Sequence, residues 1–135
     1  MKIISSDYAR VIDVGSSEVW NALCATVKVL LSKKQAAIVH ALEFMSSGVC
    51  ESENCIECAK EINRVRDLLS QFSLDKIVYD ETKKSFVPDW AKSISPVITS
   101  CANFFTTADG EDLLFEIVSI LSYGGLTGHR VTVEN

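Results

Sequence analysis

Apolar positions recur at helical spacing in four stretches of the chain. Val19, Trp20, Leu23, Cys24, Val27, Leu30 and Leu31 follow one another at steps of one, three and four, which predicts an amphipathic helix over about 17–32. Gly15-Ser16-Ser17 supplies its N-cap and Glu18 its acidic first turn. Residues 35–46 are apolar nearly all round and predict a largely buried helix ended by Ser46-Ser47-Gly48. A third helix is predicted over about 53–71, with Ile56, Ala59, Ile62, Val65, Leu69 and Phe72 inside, and Glu57/Lys60 and Glu61/Arg64 paired outside. A fourth begins at Asp109 as N-cap with Gly110, Glu111 and Asp112 in the first turn. It carries Leu113, Leu114, Ile117, Ile120 and Leu121 and ends at Gly124-Gly125.

Extended structure is predicted mainly at the two ends. Ile3-Ile4 and Tyr8–Val14 are rich in β-branched and aromatic residues, with Tyr8, Ile12 and Val14 on one parity and Ser5-Ser6-Asp7 as a break. Val131 and Val133 share one face of a closing strand over 130–133. Lys76–Tyr79 and Asn103–Thr107 are further short strand signals, flanking an irregular stretch at 81–102 whose turns are fixed by Pro88-Asp89-Trp90 and Ser95-Pro96. The fold expected is α+β: a small, mostly antiparallel sheet of three to four strands packed with about four helices, in one domain over 1–135.

Composition fits that picture. Of 135 residues, 47% are apolar and 23% charged, the balance of a folded domain rather than a disordered one. The longest charge-free run, Ser93–Ala108, is interrupted by Ser, Thr, Asn and Pro, so no membrane span of roughly 18 apolar residues is expected. The start carries no secretion signal, and the expected location is the cytoplasm. Eighteen acids against thirteen bases give a net charge of −5. The bases are scattered or paired (Lys33-Lys34, Lys83-Lys84, Lys60/Arg64), so direct nucleic-acid binding is not expected. Between Lys34 and Lys60 there is no Lys or Arg, while Glu43, Glu51, Glu53 and Glu57 all fall there. Such a window favours a positively charged protein partner.

Few residues suggest chemistry. Cys50, Cys55 and Cys58 form the one tight cluster among five cysteines, and with Cys101, His40 or His129 they could hold zinc or an iron–sulfur group. The more economical reading is of buried, inert thiols, since an odd count argues against a disulfide framework and the glycine-rich loop expected around a cluster is missing. His40, in the most apolar helix, reads as a core histidine, and His129 as an exposed one. Asp109, Glu111 and Asp112 read as capping groups, and Trp90 as a lid over the sheet or an aromatic anchor for a partner. No phosphate-binding loop, nucleophile elbow or zinc-protease pattern is present, and no cofactor is expected.

Four ordered blocks carry a more specific signal: Ser73–Asp80, Pro88–Trp90, Ile94–Thr99 and Asn103–Leu114. Together they resemble the immunity protein 70 family of bacterial polymorphic toxin and contact-dependent inhibition systems. The resemblance is good over 73–121 and looser over Gly15-Ser16-Ser17 and the helical middle. It implies a cytoplasmic antitoxin, not an enzyme, that binds and blocks the C-terminal toxin domain of a large effector, here a nuclease. A nuclease must carry positive charge to hold phosphates. The expected toxin-facing acids are therefore Glu51, Glu53 and Glu57, with Glu81, Asp89 and Glu111. The rival is a metal-binding or redox regulatory module on Cys50, Cys55 and Cys58; a small hydrolase is a third.

Overall fold

A computed structural model describes residues 1–83 and 85–135. Lys84, half of the Lys83-Lys84 basic pair, lies outside the described residues. The chain runs β1 (Lys2–Ser5), β2 (Val11–Asp13), α1 (Ser17–Leu30), α2 (Val39–Ser47), β3 (Val49–Cys50), α3 (Ser52–Leu69), α4 (Leu113–Thr127) and β4 (Val131–Glu134). The four strands form one antiparallel sheet in the order β2-β1-β4-β3. The α+β expectation is borne out.

Register sorts the strand residues by face. Ile3 stands opposite Ile12 and Val133, and Ser5 opposite Val131, itself paired with Cys50. Since side chains alternate across a strand, these two rows share one face. Ile3, Ser5 and Val131 are fully buried there, beneath α4, which contacts β1, β2 and β4. Helix α3 packs on α4, and α1 and α2 pack on α3. The result is one continuous core, with Phe44, Leu23, Ile62, Leu69, Phe105, Leu113 and Ile117 among its largest buried side chains.

Helix α1 begins as expected, with the Ser16 hydroxyl accepting from the Glu18 N–H. Helix α2 does not. Residues 32–37 wind into a 3-10 turn with no buried side chain, because Ser32-Lys33-Lys34-Gln35 has nothing to bury, and the α-helix starts only at Val39. Its first turn is closed from another element. Glu61 of α3, only 7% exposed, accepts from the backbone N–H groups of His40 at 2.6 Å and Ala41 at 3.1 Å. Glu61 is therefore an inward residue and not the surface partner of Arg64, whose guanidinium donates instead to the Ala37 carbonyl. The inner stripe of α3 also includes Cys55 and Cys58, and Ile56 is only partly buried.

The entry to α4 differs as well. Asp112, not Asp109, is the N-cap: its Oδ1 accepts from the Phe115 N–H at 3.2 Å, and its Oδ2 from Arg66 at 2.9 Å. Residues 107–111 turn back so that Thr106 pairs with Asp112, and this single bridge is all that forms of the strand expected over 103–107. Gly124-Gly125 does not end α4. The helix continues to Thr127 and stops at Gly128, whose φ of +76° suits glycine. The pair serves close packing instead. A Cβ on Gly124 would lie 2.6 Å from the His129 carbonyl oxygen and 3.3 Å from Cys55 Sγ, and one on Gly125 would lie 2.5 Å from Ile56 Cγ1.

Residues 76–79 form no strand. After a 3-10 turn at Leu74–Lys76, Val78 is bound by a helix side chain: buried Thr26 of α1 donates to the Val78 carbonyl at 3.2 Å and accepts its N–H at 3.0 Å. The hydroxyl thus does what a neighbouring strand would do. Residues 81–83 and 85–102 are irregular as expected, apart from a short 3-10 turn at Asp89–Ala91.

Candidate functional site

A groove of about 850 Å³ opens between α1, α2 and residues 79–81. Helix α1 forms its base, because α1 is bonded to both walls. On one side the Trp20 and Phe44 rings meet edge to face at 5.9 Å, fixing α2. On the other, the Thr26–Val78 pair lays the following residues, Tyr79, Asp80 and Glu81, along the opposite wall. Tyr79 is held rigidly: Trp90 stands edge-on to it at 5.6 Å and Phe104 at 5.9 Å. Trp90 thus covers this aromatic pair rather than the sheet and remains 42% exposed.

The groove is apolar below and acidic at its rim. Ala25, Leu42, Met45 and the half-buried Cys24 and Tyr79 line it, with Glu43, Asp80 and Glu81 as its acids and Lys28 as its one base among the described residues. Lys28 is tied to Glu81 at 3.0 Å. Asp80 accepts from the N–H and hydroxyl of Thr82, and these bonds hold its carboxyl below the usual range, so it stays ionised. Among the described residues Glu43 has no ion-pair partner. Cys24 donates weakly to the Met45 carbonyl, and burial pushes its thiol up to about 12, which disfavours the reactive thiolate.

Glu43 also links the groove to the base-free window. His40 lies one turn before it on α2, and its Nδ1 sits 2.6 Å from Glu61 Oε2. That bond raises the imidazole pKa, and Glu43 and Glu57 both add to the rise. His40 is therefore a half-exposed histidine in a negative field, not a core residue. Of the expected acids in the window, Glu51 is paired with Arg130 at 3.2 Å and Glu57 with Lys60 at 3.3 Å, while Glu53 is exposed and accepts from Ser52. Asp89 is paired with Lys92 at 2.8 Å beside Trp90. Glu111 lies elsewhere. It lines a smaller cavity of about 400 Å³ with Asp13, Asp109 and Glu116 beside β2, whereas Glu51 follows β3 at the other edge of the sheet.

The cysteines of the cluster each donate to a carbonyl, and Cys50 also contacts the thiols of Cys55 and Cys58. Cys50 Sγ donates to Glu51 O, Cys55 Sγ to Cys50 O and Cys58 Sγ to His40 O, at 3.6–3.7 Å. For Cys50 the Cys55 contact lowers the thiol pKa, but the Cys58 contact and burial outweigh it and carry it up to about 12. The Cys55 thiol is also raised, by Cys50 and by burial. Cys101 is buried far along the chain and bonded to the Ser73 carbonyl. Among the described residues no three Cys, His, Asp or Glu side chains are placed to hold a metal ion.

His129 sits in a separate network. Its Nδ1 is 3.2 Å from the Ser6 hydroxyl and its Nε2 is 3.4 Å from Asp7, while its ring stacks on Tyr123. Bonds from Tyr123 and Ser5 hold the Asp7 carboxyl down to about 2. Ser, His and Asp meet here, but Asp7 Oδ1 is taken inside the β1–β2 turn by the Ser5 hydroxyl and the Ala9 N–H, and Oδ2 accepts from Tyr123 of α4. The groove residues Lys28, Glu43, Tyr79 and Asp80 are not among the acids expected from sequence. The one signal available was that Glu43 lies in the base-free window.

Among the described residues no helix is long and apolar enough to cross a membrane. No curated protein and no solved structure matches the chain. The family model described as Immunity protein 70 matches residues 2–133, well beyond the blocks at 73–121 and across every strand and helix but the final strand residue. The chain belongs to the immunity protein 70 family.

Proposed function

We propose that this protein is a cytoplasmic antitoxin for the C-terminal toxin domain, a basic nuclease, of a polymorphic or contact-dependent inhibition effector. It binds that domain as a single folded unit and carries out no reaction of its own. Membership of an immunity protein family supports the antitoxin role. The observation that carries the charge of the partner is the base-free window. Folded, it sets Glu43 and Glu57 close enough to His40 for both to raise its pKa, with Glu51 and Glu53 at the start of the neighbouring helix. A standing negative field of this kind speeds encounter with a cationic surface. The toxin-facing surface is taken to run from Glu51, Glu53 and Glu57 across Glu43 to Glu81 and Asp89. Glu111, at the opposite sheet edge, is left outside it.

The test is to read the frame immediately upstream of this one and, where it encodes a large effector, to co-express its C-terminal tail with this protein. Co-purification and restored growth are the expected results. Charge reversal at Glu51, Glu53 and Glu57 should slow association at low salt and leave the dissociation rate nearly unchanged. An unaltered association rate removes those three from the surface. Turnover of a substrate by the isolated protein, or a neighbouring product harmless to unprotected cells, overturns the reading.

A further inference from the structure

We propose that the groove between α1, α2 and residues 79–81 is the slot for an arginine-bearing segment of the basic partner, and that this insertion fixes the register of the complex. The inference rests on the antitoxin reading and goes beyond it by naming the seat and the side chain. Broad surface charge accounts for fast encounter, but it does not specify one docked arrangement. A concave, partly apolar site with a few placed charges does.

Three observations select arginine. The first is charge: among the described residues the lining holds Glu43, Asp80 and Glu81 against Lys28, and Lys28 is already bonded to Glu81. Among the described residues Glu43 of α2 and Asp80 of the 79–81 segment make no ion pair, the charge of Lys83 acts on Asp80 only at a distance, and the Thr82 bonds keep Asp80 charged. The second is the apolar part of the lining. Leu42, Met45 and Ala25 suit the aliphatic stem of a long basic side chain, which buries its methylenes while its head reaches the carboxylates. The third is Tyr79. Fixed by Trp90 and Phe104, it offers a ring on which a planar guanidinium can stack, an interaction an ammonium group makes less well. The volume, about 850 Å³, exceeds one side chain, so the residues flanking the arginine enter with it.

The experiment uses the whole protein and a defined ligand, an acetylated Gly-Arg-Gly amide, followed by amide chemical shifts. Shifts confined to residues 21–28, 42–46 and 79–81 are expected. Binding should be on the order of fivefold weaker for Glu43→Gln, the worth of one partly exposed ion pair, and weaker again for the citrulline peptide, which keeps the shape and lacks the charge. No shift in the groove, or equal shifts with citrulline, overturns the proposal. Equal binding of the lysine peptide overturns the choice of arginine. A second arm uses growth rescue with Asn21→Trp, an exposed position whose indole would fill the slot. Failed rescue by a folded Asn21→Trp protein beside successful wild-type rescue is expected. Full rescue by both removes the slot and leaves the antitoxin reading standing. Failure of the wild type itself counts against that reading, while the peptide arm still decides the slot.

Discussion

Glu61 and His40 are joined twice: one carboxylate oxygen takes the backbone N–H of His40, and the other meets the Nδ1 of the same residue's imidazole, each at 2.6 Å. A side chain of α3 thereby caps α2 and holds a half-exposed ring against it. Replacing Glu61 with Ala leaves two N–H groups at the start of α2 without their acceptor and should cost about 2–3 kcal/mol in urea unfolding, the range for hydrogen bonds to a charged group.

The same pair predicts a pH dependence. The folded pKa of His40 lies above its ordinary value of 6.5, chiefly through the Glu61 bond, with Glu43 and Glu57 contributing. The protonated ring is thus favoured in the fold. Its stabilisation should be fully present below about pH 6.5 and should fade as pH rises through the elevated folded value. Glu61→Gln keeps acceptors for both N–H groups and should flatten that slope. A slope unchanged in Glu61→Gln would assign the titration to another group.

Alanine normally stabilises a helix interior relative to glycine by about 1 kcal/mol. Gly124→Ala should do the opposite, losing about 1–3 kcal/mol, because the new methyl meets the rigid carbonyl of His129. Gly125→Ala meets the Ile56 side chain at 2.5 Å and its backbone N at 3.1 Å, so Ile56→Ala should relieve only the side-chain part of its cost. Relief of Gly124→Ala by the same change would mean that the helix approach, not the local contact, is at fault.

Asp112→Ala should cost about 1–2 kcal/mol as a lost N-cap and free Arg66. Asp109→Ala should stay within about 0.5 kcal/mol, as a surface change away from such features. Equal losses at the two sites would contradict the cap observed.

With Cys50 and Cys24 raised to about 12 and Cys101 by burial to about 11, thiolate is scarce at pH 8. Iodoacetamide should modify the native protein slowly and all five cysteines rapidly in urea, as read by mass spectrometry. Fast native alkylation of Cys50, or stoichiometric zinc retained through gel filtration, would revive the cysteine-cluster reading.

What could be read from sequence was what a local pattern encodes. The α1 stripe with its Ser16 cap, the long α3 face and the Val131/Val133 alternation each contain their own explanation. The misreadings share a cause: one residue pattern served two uses. Gly124-Gly125 signals a helix stop as readily as a close helix crossing, and only α3 decides. Ile77-Val78-Tyr79 signals a strand, but its hydrogen-bonding partner is a threonine on α1. Glu61 reads as surface charge until the unsatisfied start of α2 is placed beside it. β3 is two residues long and exists only because β4 lies next to it. The groove is assembled from three separated segments, so no window along the chain could contain it. Spacing also reveals neither the pairing of Lys28 with Glu81 nor the sheet that parts Glu111 from Glu51.

β4 is an interior strand, flanked by β1 and β3, although it is made after the other three strands and all four helices. Until residues 131–134 emerge from the exit tunnel, the first hairpin and β3 have no common neighbour and the floor under α4 is incomplete. Assembly of the sheet is therefore obliged to wait for residues 131–134, and a nascent chain stalled before residue 131 would offer unpaired strand edges to chaperones and proteases instead of a closed sheet.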